Sequence, residues 1–205
     1  MSNTQFPLRE KRKAATRTNL IRAAQALFAQ QGYDETTLEA VADHAGLHVQ
    51  TLYRHFASKQ ELATAGDQEM LERFRQAISD PGRTDHTFDF WREWVRTAVA
   101  RLSQEDGARQ YRDFLIQRWT SALVSSQLIR IGQEYEDLLA ESFVKDFGGS
   151  SDNLEIARLA AITLWGANSR VQRLHASQNN YNFAQQAVAA VDTVEALFKD
   201  LLKPR

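Results

Sequence analysis

The chain has 205 residues, 43% of them hydrophobic and 25% charged, with a formal net charge of −1 and no cysteine. That length buries one substantial core without disulfide or metal staples, and the missing thiols exclude cysteine nucleophiles, thiolate metal sites and disulfide frameworks. Charge is uneven, with eight Lys/Arg against five Asp/Glu in residues 1–60 and seventeen against twenty-one in residues 61–205, so the basic end is N-terminal.

Three prolines, nine glycines and no alternating β-branched runs predict an all-α protein. In "TNLIRAAQALFAQQG" Leu20, Ala24, Leu27, Phe28 and Gln31 recur along one side before Gly32, which predicts a first helix over about 10–31. Thr36 with Glu39, and Ser58 with Glu61, read as capping boxes that start helices near 37 and 59. In this reading Glu39 serves as a capping partner. Between them two short helices are broken at Ala45-Gly46-Leu47.

Longer helices follow over about 59–79, 87–103, 107–119 and 121–147. Asp152 with Glu155 caps one to about 176, and Asn182 with Gln185 caps the last, to about 202. The last helix repeats Phe183, Ala187, Val191, Val194, Phe198 and Leu201 as a seam suited to a partner helix. Together with Ala157, Ala160, Ala161 and Ala190 it predicts a homodimer joined by a four-helix bundle of the last two helices.

The stretch "HAGLHVQTLYRHFASKQEL" over 44–62 concentrates polar side chains beside core-like positions. A short helix, a tight turn at Gly46 and a second short helix form a helix-turn-helix, whose second helix fits the major groove. Val41, Ala42, Leu47, Leu52 and Phe56 pack inward. Val49, Gln50, Tyr53, Arg54 and His55 are left for the outer face, where phosphates and base edges require hydrogen-bonding groups.

Those residues, with "LIRAAQALFAQQGYDETTLEAVADHAGLHVQTLYRHFASKQEL", resemble the DNA-binding domain of TetR/AcrR-type transcriptional regulators over residues 16–62. The resemblance implies an all-helical fold in which an N-terminal three-helix helix-turn-helix domain precedes a larger helical ligand-binding and dimerisation domain. The boundary is drawn at 1–60 and 61–205. It also implies a homodimer reading a palindromic double-stranded operator. By resemblance, Thr37, Thr51, Tyr53, His55 and Lys59 stand at phosphate-contacting positions, and His48, Val49, Gln50 and Arg54 at positions that face bases.

No cofactor or metal is expected. His44 and His48 have a metal-pair spacing but straddle the turn without a third ligand, and Gly148-Gly149-Ser150-Ser151 lacks the strand and lysine of a phosphate loop. No spacing supports triad catalysis, so the chain is read as a non-enzyme. The N-terminus lacks a secretory apolar run, and "LAAITLWGA" at 159–167 is about half a membrane span. A cytoplasmic protein without membrane association is the expectation.

Beyond residue 60 the aromatic residues Phe90, Trp91, Trp94, Phe114, Trp119, Tyr135 and Trp165 are accompanied by Arg118 and Asn168. Trp94, Phe114, Arg118, Trp165 and Asn168 are the candidates for an apolar pocket with a few polar anchors, open to a small-molecule effector. Two functions follow. One is a repressor released by an inducer; the other is a DNA-binding protein of the same fold with a structural or cell-division role and no inducer.

Overall fold

A computed structural model of the chain describes residues 5–102, 112–116, 121–148, 151–178 and 181–202. Among the described residues the secondary structure is helical, without strands. The helices are α1 (Gln5–Gln31), α2 (Leu38–His44), α3 (Val49–Tyr53), α4 (Lys59–Ile78), α5 (Thr87–Leu102), α6 (112–116), α7 (Ala122–Phe147), α8 (Ser151–Ser177) and α9 (Phe183–Phe198). None of the described helices is long and apolar enough to cross a membrane.

Helix starts follow local chemistry. Ser58 Oγ accepts from Glu61 N–H at 3.1 Å while Glu61 Oε2 accepts from Ala57 N–H at 2.7 Å, so the expected box at α4 closes one residue further back. Asn182 Oδ1 caps α9 through Gln185 N–H at 3.2 Å. Asp152 does not stand at the position before α8 where a cap was expected, because the helix already begins at Ser151. The last helix ends at Phe198 rather than near 202: Leu201 and Leu202 both donate to Phe198 O at 3.0 Å, and this turn folds Leu202 into the core.

Phe74 on α4 is fully buried and organises the larger part of the core. Its ring meets Phe90, Trp91 and Trp94 of α5 and Tyr135 of α7 at centroid distances of 5.9, 5.4, 5.2 and 4.7 Å. Aromatic edges and faces meeting at such distances add to the area they bury. α8 packs between α7 and α9, and a close approach at Gly132 makes this possible: a Cβ there would lie 2.7 Å from Trp165 Nε1.

At the end of the bundle away from α3, buried Thr87 donates both its backbone N–H and its hydroxyl to Asp146 Oδ2 at 2.6 Å. Arg83 donates to Ser142 Oγ at 2.7 Å, and Thr87 and Ser142 hydroxyls bond each other at 2.7 Å. Asp146 on α7 thus caps α5 from outside its own segment.

The seam expected to join two chains is instead internal. Ala157, Ala160, Ala161, Ala187, Val191 and Val194 are all at most 2% exposed, covered by their own α5 and α8 to α9 contacts. On the last two helices and the turn that follows, the exposed large apolar side chains are Leu154, Leu159, Ile162, Leu197 and Leu201. A repeat of apolar positions signals burial without saying whether the same chain or another supplies the partner.

Candidate DNA-binding face and effector cavity

The turn between α2 and α3 is closed by two backbone bonds. Gly46, at φ 67°, donates to Asp43 O at 3.0 Å, and Leu47 N–H reaches Ala42 O at 2.9 Å. The positive φ is the reason for glycine here. Asn19 Nδ2 donates to Ala45 O at 2.9 Å and ties the turn to α1. Beneath it Val41, Ala42, Leu52 and Phe56 are buried, as expected.

The start of α2 lies one residue later than the sequence suggested. Thr37 Oγ1 accepts from Ala40 N–H at 3.1 Å and is the cap. Thr36, 1% exposed, is drawn inward, its hydroxyl donating to Gly32 O at 2.7 Å at the end of α1. Glu39 therefore has no capping role. Its carboxylate accepts from the Tyr53 hydroxyl at 3.2 Å, and this bond raises the Tyr53 pKa above its ordinary value.

Lys59 has another occupation than the phosphate contact expected of it. Its ammonium donates to the carbonyls of Tyr33, Asp34 and Thr36 at 2.8, 3.2 and 3.0 Å, and sits 4.4 Å from the Tyr33 ring centroid. An ammonium has three donors. All three are directed into the segment that leads from α1 to α2, so in this conformation Lys59 positions the helix-turn-helix rather than facing outward.

Arg17 performs a similar service from α1. It donates to Glu69 of α4 at 3.1 Å and to the carbonyl of His55 at 3.0 Å, and lies 4.3 Å over the Phe56 ring. The turn after α3 and the middle of α4 are thus held by one guanidinium.

The exposed face of α3 carries His48, Gln50, Tyr53 and Arg54. Arg54 Nη2 donates to Thr51 Oγ1 at 3.2 Å, which leaves further guanidinium donors outward. Val49 is half-buried against the core and helps seat α3. His55 is half-buried as well; burial, then Arg17, Lys13 and Arg54, push its pKa below the ordinary histidine value. A neutral imidazole donates or accepts hydrogen bonds without adding charge.

A cavity of about 700 Å³ opens among α1, α4, α5, α7, α8 and α9, with Phe114 of α6 on its wall. It brings Trp94, Phe114, Trp165 and Asn168 together; Arg118 lies outside the described residues. Asn168 was expected as a polar anchor, but its amide braces helices: Oδ1 accepts from Trp91 Nε1 at 2.7 Å and Nδ2 donates to Ala187 O at 2.9 Å. Gln25 of α1 and Gly66, Asp67, Met70 and Arg73 of α4, unexpected from sequence, also line it. On α4 these recur at helical spacing beside the core stripe of Leu62, Leu71 and Phe74, a signal of a second contacting face.

A family model described as "Bacterial regulatory proteins, tetR family" matches residues 20–65, the segment that holds this helix-turn-helix. The HTH-type transcriptional regulator TcmR of Streptomyces glaucescens is 42% identical over 71 residues, 35% of this chain and 31% of that protein. UidR of Escherichia coli K12 is 37% identical over 67 residues, 31% and 34% of the two chains.

The chain carries a TetR-family domain.

These alignments span about a third of the relatives' own length. Beyond the TetR-family segment the likeness is one of fold. The SmeT–triclosan complex superposes with a TM-score of 0.71 over 89% of this chain and 91% of that one at 19% identity. FadR of Bacillus halodurans, described as a fatty acid degradation regulator, gives 0.64 over 86% and 96% at 19% identity.

Proposed function

We propose that this TetR-family chain is a ligand-responsive transcriptional repressor, which binds a palindromic operator as a homodimer and releases it when a small molecule enters the cavity. In this reading residues 1–60 bind DNA and residues 61–205 bind the effector and the second chain. The observation that carries it is the reach of the cavity: its wall includes Gln25 of α1 together with Gly66 and Asp67 of α4, the two helices whose Arg17 and Lys59 seat the helix-turn-helix. An occupant therefore touches the support of the reading head.

A cavity of this size suits a drug-sized molecule, and a protein of the same fold is known as a complex with triclosan. The size and reach of the cavity favour the inducible repressor over a DNA-binding protein with a structural or cell-division role. Dimerisation is assigned to the outward apolar side chains Leu154, Leu159, Ile162, Leu197 and Leu201. On the DNA face Tyr53, Thr37, Thr51 and His55 are assigned to the backbone, and His48, Gln50 and Arg54 to base edges.

The test is a gel shift with DNA flanking the protein's own gene, repeated with apolar small molecules. Retardation that a bound compound reverses supports the reading. Retardation unaffected by every compound shown to bind the protein contradicts it.

A further inference from the structure

The cavity's polar inventory points to the chemistry of its occupant. Tyr135 and Trp165 both line it, their rings stacked with centroids 4.4 Å apart and planes inclined by 12°. Among the described residues neither the Tyr135 hydroxyl nor the Trp165 indole N–H has a hydrogen-bond partner, and neither atom is fully buried. Burial, and after it the Asp67 carboxylate, raise the Tyr135 pKa above its ordinary value against the opposing pull of Arg73, so the phenol stays protonated. The stack thus offers two neutral donors beside an apolar space.

The charges agree in sign with the donors. Arg73 and Arg173 line the cavity and are exposed, whereas Asp67, the carboxylate among the described lining residues, is engaged within the chain. A cationic ligand would meet two guanidinium groups, and a ligand rich in donors would leave the Trp165 N–H, which can only donate, unmatched at a desolvation cost. The half-buried Trp94 and buried Phe114 provide flat apolar surface against which rings can stack.

We propose that the cavity takes a planar aromatic compound bearing an oxygen acceptor, neutral or anionic, its oxygen accepting from Tyr135 and Trp165 and its rings lying against Trp94 and Phe114. This rests on the reading of the cavity as the effector site and specifies the class of effector.

The test uses four matched probes titrated calorimetrically into the full chain without DNA: naphthalene, 2-acetylnaphthalene, 2-naphthoate and 2-naphthyltrimethylammonium. The acetyl compound binds about tenfold more tightly than naphthalene, the order expected of hydrogen bonds to buried donors. Naphthoate binds at least as tightly as naphthalene, and the ammonium compound more weakly. Tyr135→Phe retains the ring stack; it reduces the acetyl preference to threefold or less and leaves the naphthalene affinity within twofold. A wild type that prefers the cation, shows no acetyl preference or binds none of the four overturns the proposal. So does a Tyr135→Phe protein that keeps the tenfold preference. If the acetyl compound binds as stated but leaves operator binding unchanged, the ligand class stands and the repressor reading falls.

Discussion

Gln25 of α1 and Gly66 of α4 face each other so closely that a Cβ on Gly66 would lie 3.2 Å from Gln25 Nε2, and both residues line the cavity. The contact belongs at once to the support of the helix-turn-helix and to the effector site. Gln25 is a flexible side chain and can yield, so Gly66→Ala keeps the fold, with a helix-propensity gain of up to about 1 kcal/mol set against the displaced amide. Gly66→Leu places a branched side chain in the cavity and acts as a built-in ligand. Its operator affinity falls at least tenfold by fluorescence anisotropy while its circular dichroism spectrum stays helical. Unchanged operator affinity would sever the contact from DNA binding.

Lys59 separates a positioning role from a phosphate contact. Lys59→Met removes three hydrogen bonds from a charged donor to the carbonyls of Tyr33, Asp34 and Thr36, and costs on the order of 2 kcal/mol in urea unfolding, below the sum of three because the residue is half-exposed. The salt dependence of DNA binding keeps its slope. A variant of unaltered stability whose slope falls by about 1 would return Lys59 to the phosphates.

Glu39 and Tyr53 form a polar pair on the face assigned to DNA. The carboxylate favours the protonated phenol, so Glu39→Gln lowers the Tyr53 pKa toward its ordinary value, which an ultraviolet titration of tyrosinate reads directly. It also removes a negative charge facing phosphate and strengthens DNA binding at low salt. A Tyr53 titration that does not move would show that the pair is absent in solution.

His55 and His175 both have pKa values pushed below the ordinary one by burial, with Arg17 and Arg112 respectively adding repulsion. The unfolded chain therefore takes up protons at a higher pH than the folded one. Stability from these groups is present above about pH 6.5 and declines as pH falls through that value toward the lowered folded-state pKa values. The melting temperature drops between pH 7 and 5, and His55→Gln flattens part of that drop. An identical pH profile for the variant would exclude His55 from it.

The two faces of the last helices give opposite outcomes. Ile162 is 50% exposed, so Ile162→Glu yields a folded chain that sediments as a monomer. Val194 is 2% exposed, and Val194→Glu buries a charge within one chain and lowers stability by several kcal/mol. A dimeric Ile162→Glu protein at micromolar concentration would move the interface elsewhere.

The helix-turn-helix was legible because its signals are local: the glycine at the turn, the Ser58–Glu61 box and the apolar spacing of α1 each act within a few residues. Thr36 and Thr37 were harder to tell apart. Either can cap, and the decision came from Gly32 O, which α1 holds where Thr36 can reach it. Lys59 reads from sequence as a basic residue beside a recognition helix, but three carbonyls from a segment more than twenty residues away accept its hydrogen bonds. The apolar repeat of α9 reported burial at Ala187, Val191 and Val194, where the chain's own helices supply the partner, but not at Leu201, which is exposed. In the cavity the aromatic residues stood out by type, whereas Gln25 and Gly66 became neighbours of them through the packing of α1 on α4.

Coupling between cavity and operator is measurable in either direction, because linkage makes it reciprocal. An occupant that loosens the operator about 100-fold must prefer the released state by about 2.7 kcal/mol, within the usual range of allosteric coupling. The decisive measurement is calorimetric titration of 2-acetylnaphthalene into the free protein and into its operator complex, beside operator affinity with and without a saturating amount of the same compound. Operator DNA is expected to weaken the compound's binding by the same factor by which the compound weakens operator binding. Equal affinities for free and DNA-bound protein, with the compound seated in the cavity, would contradict it.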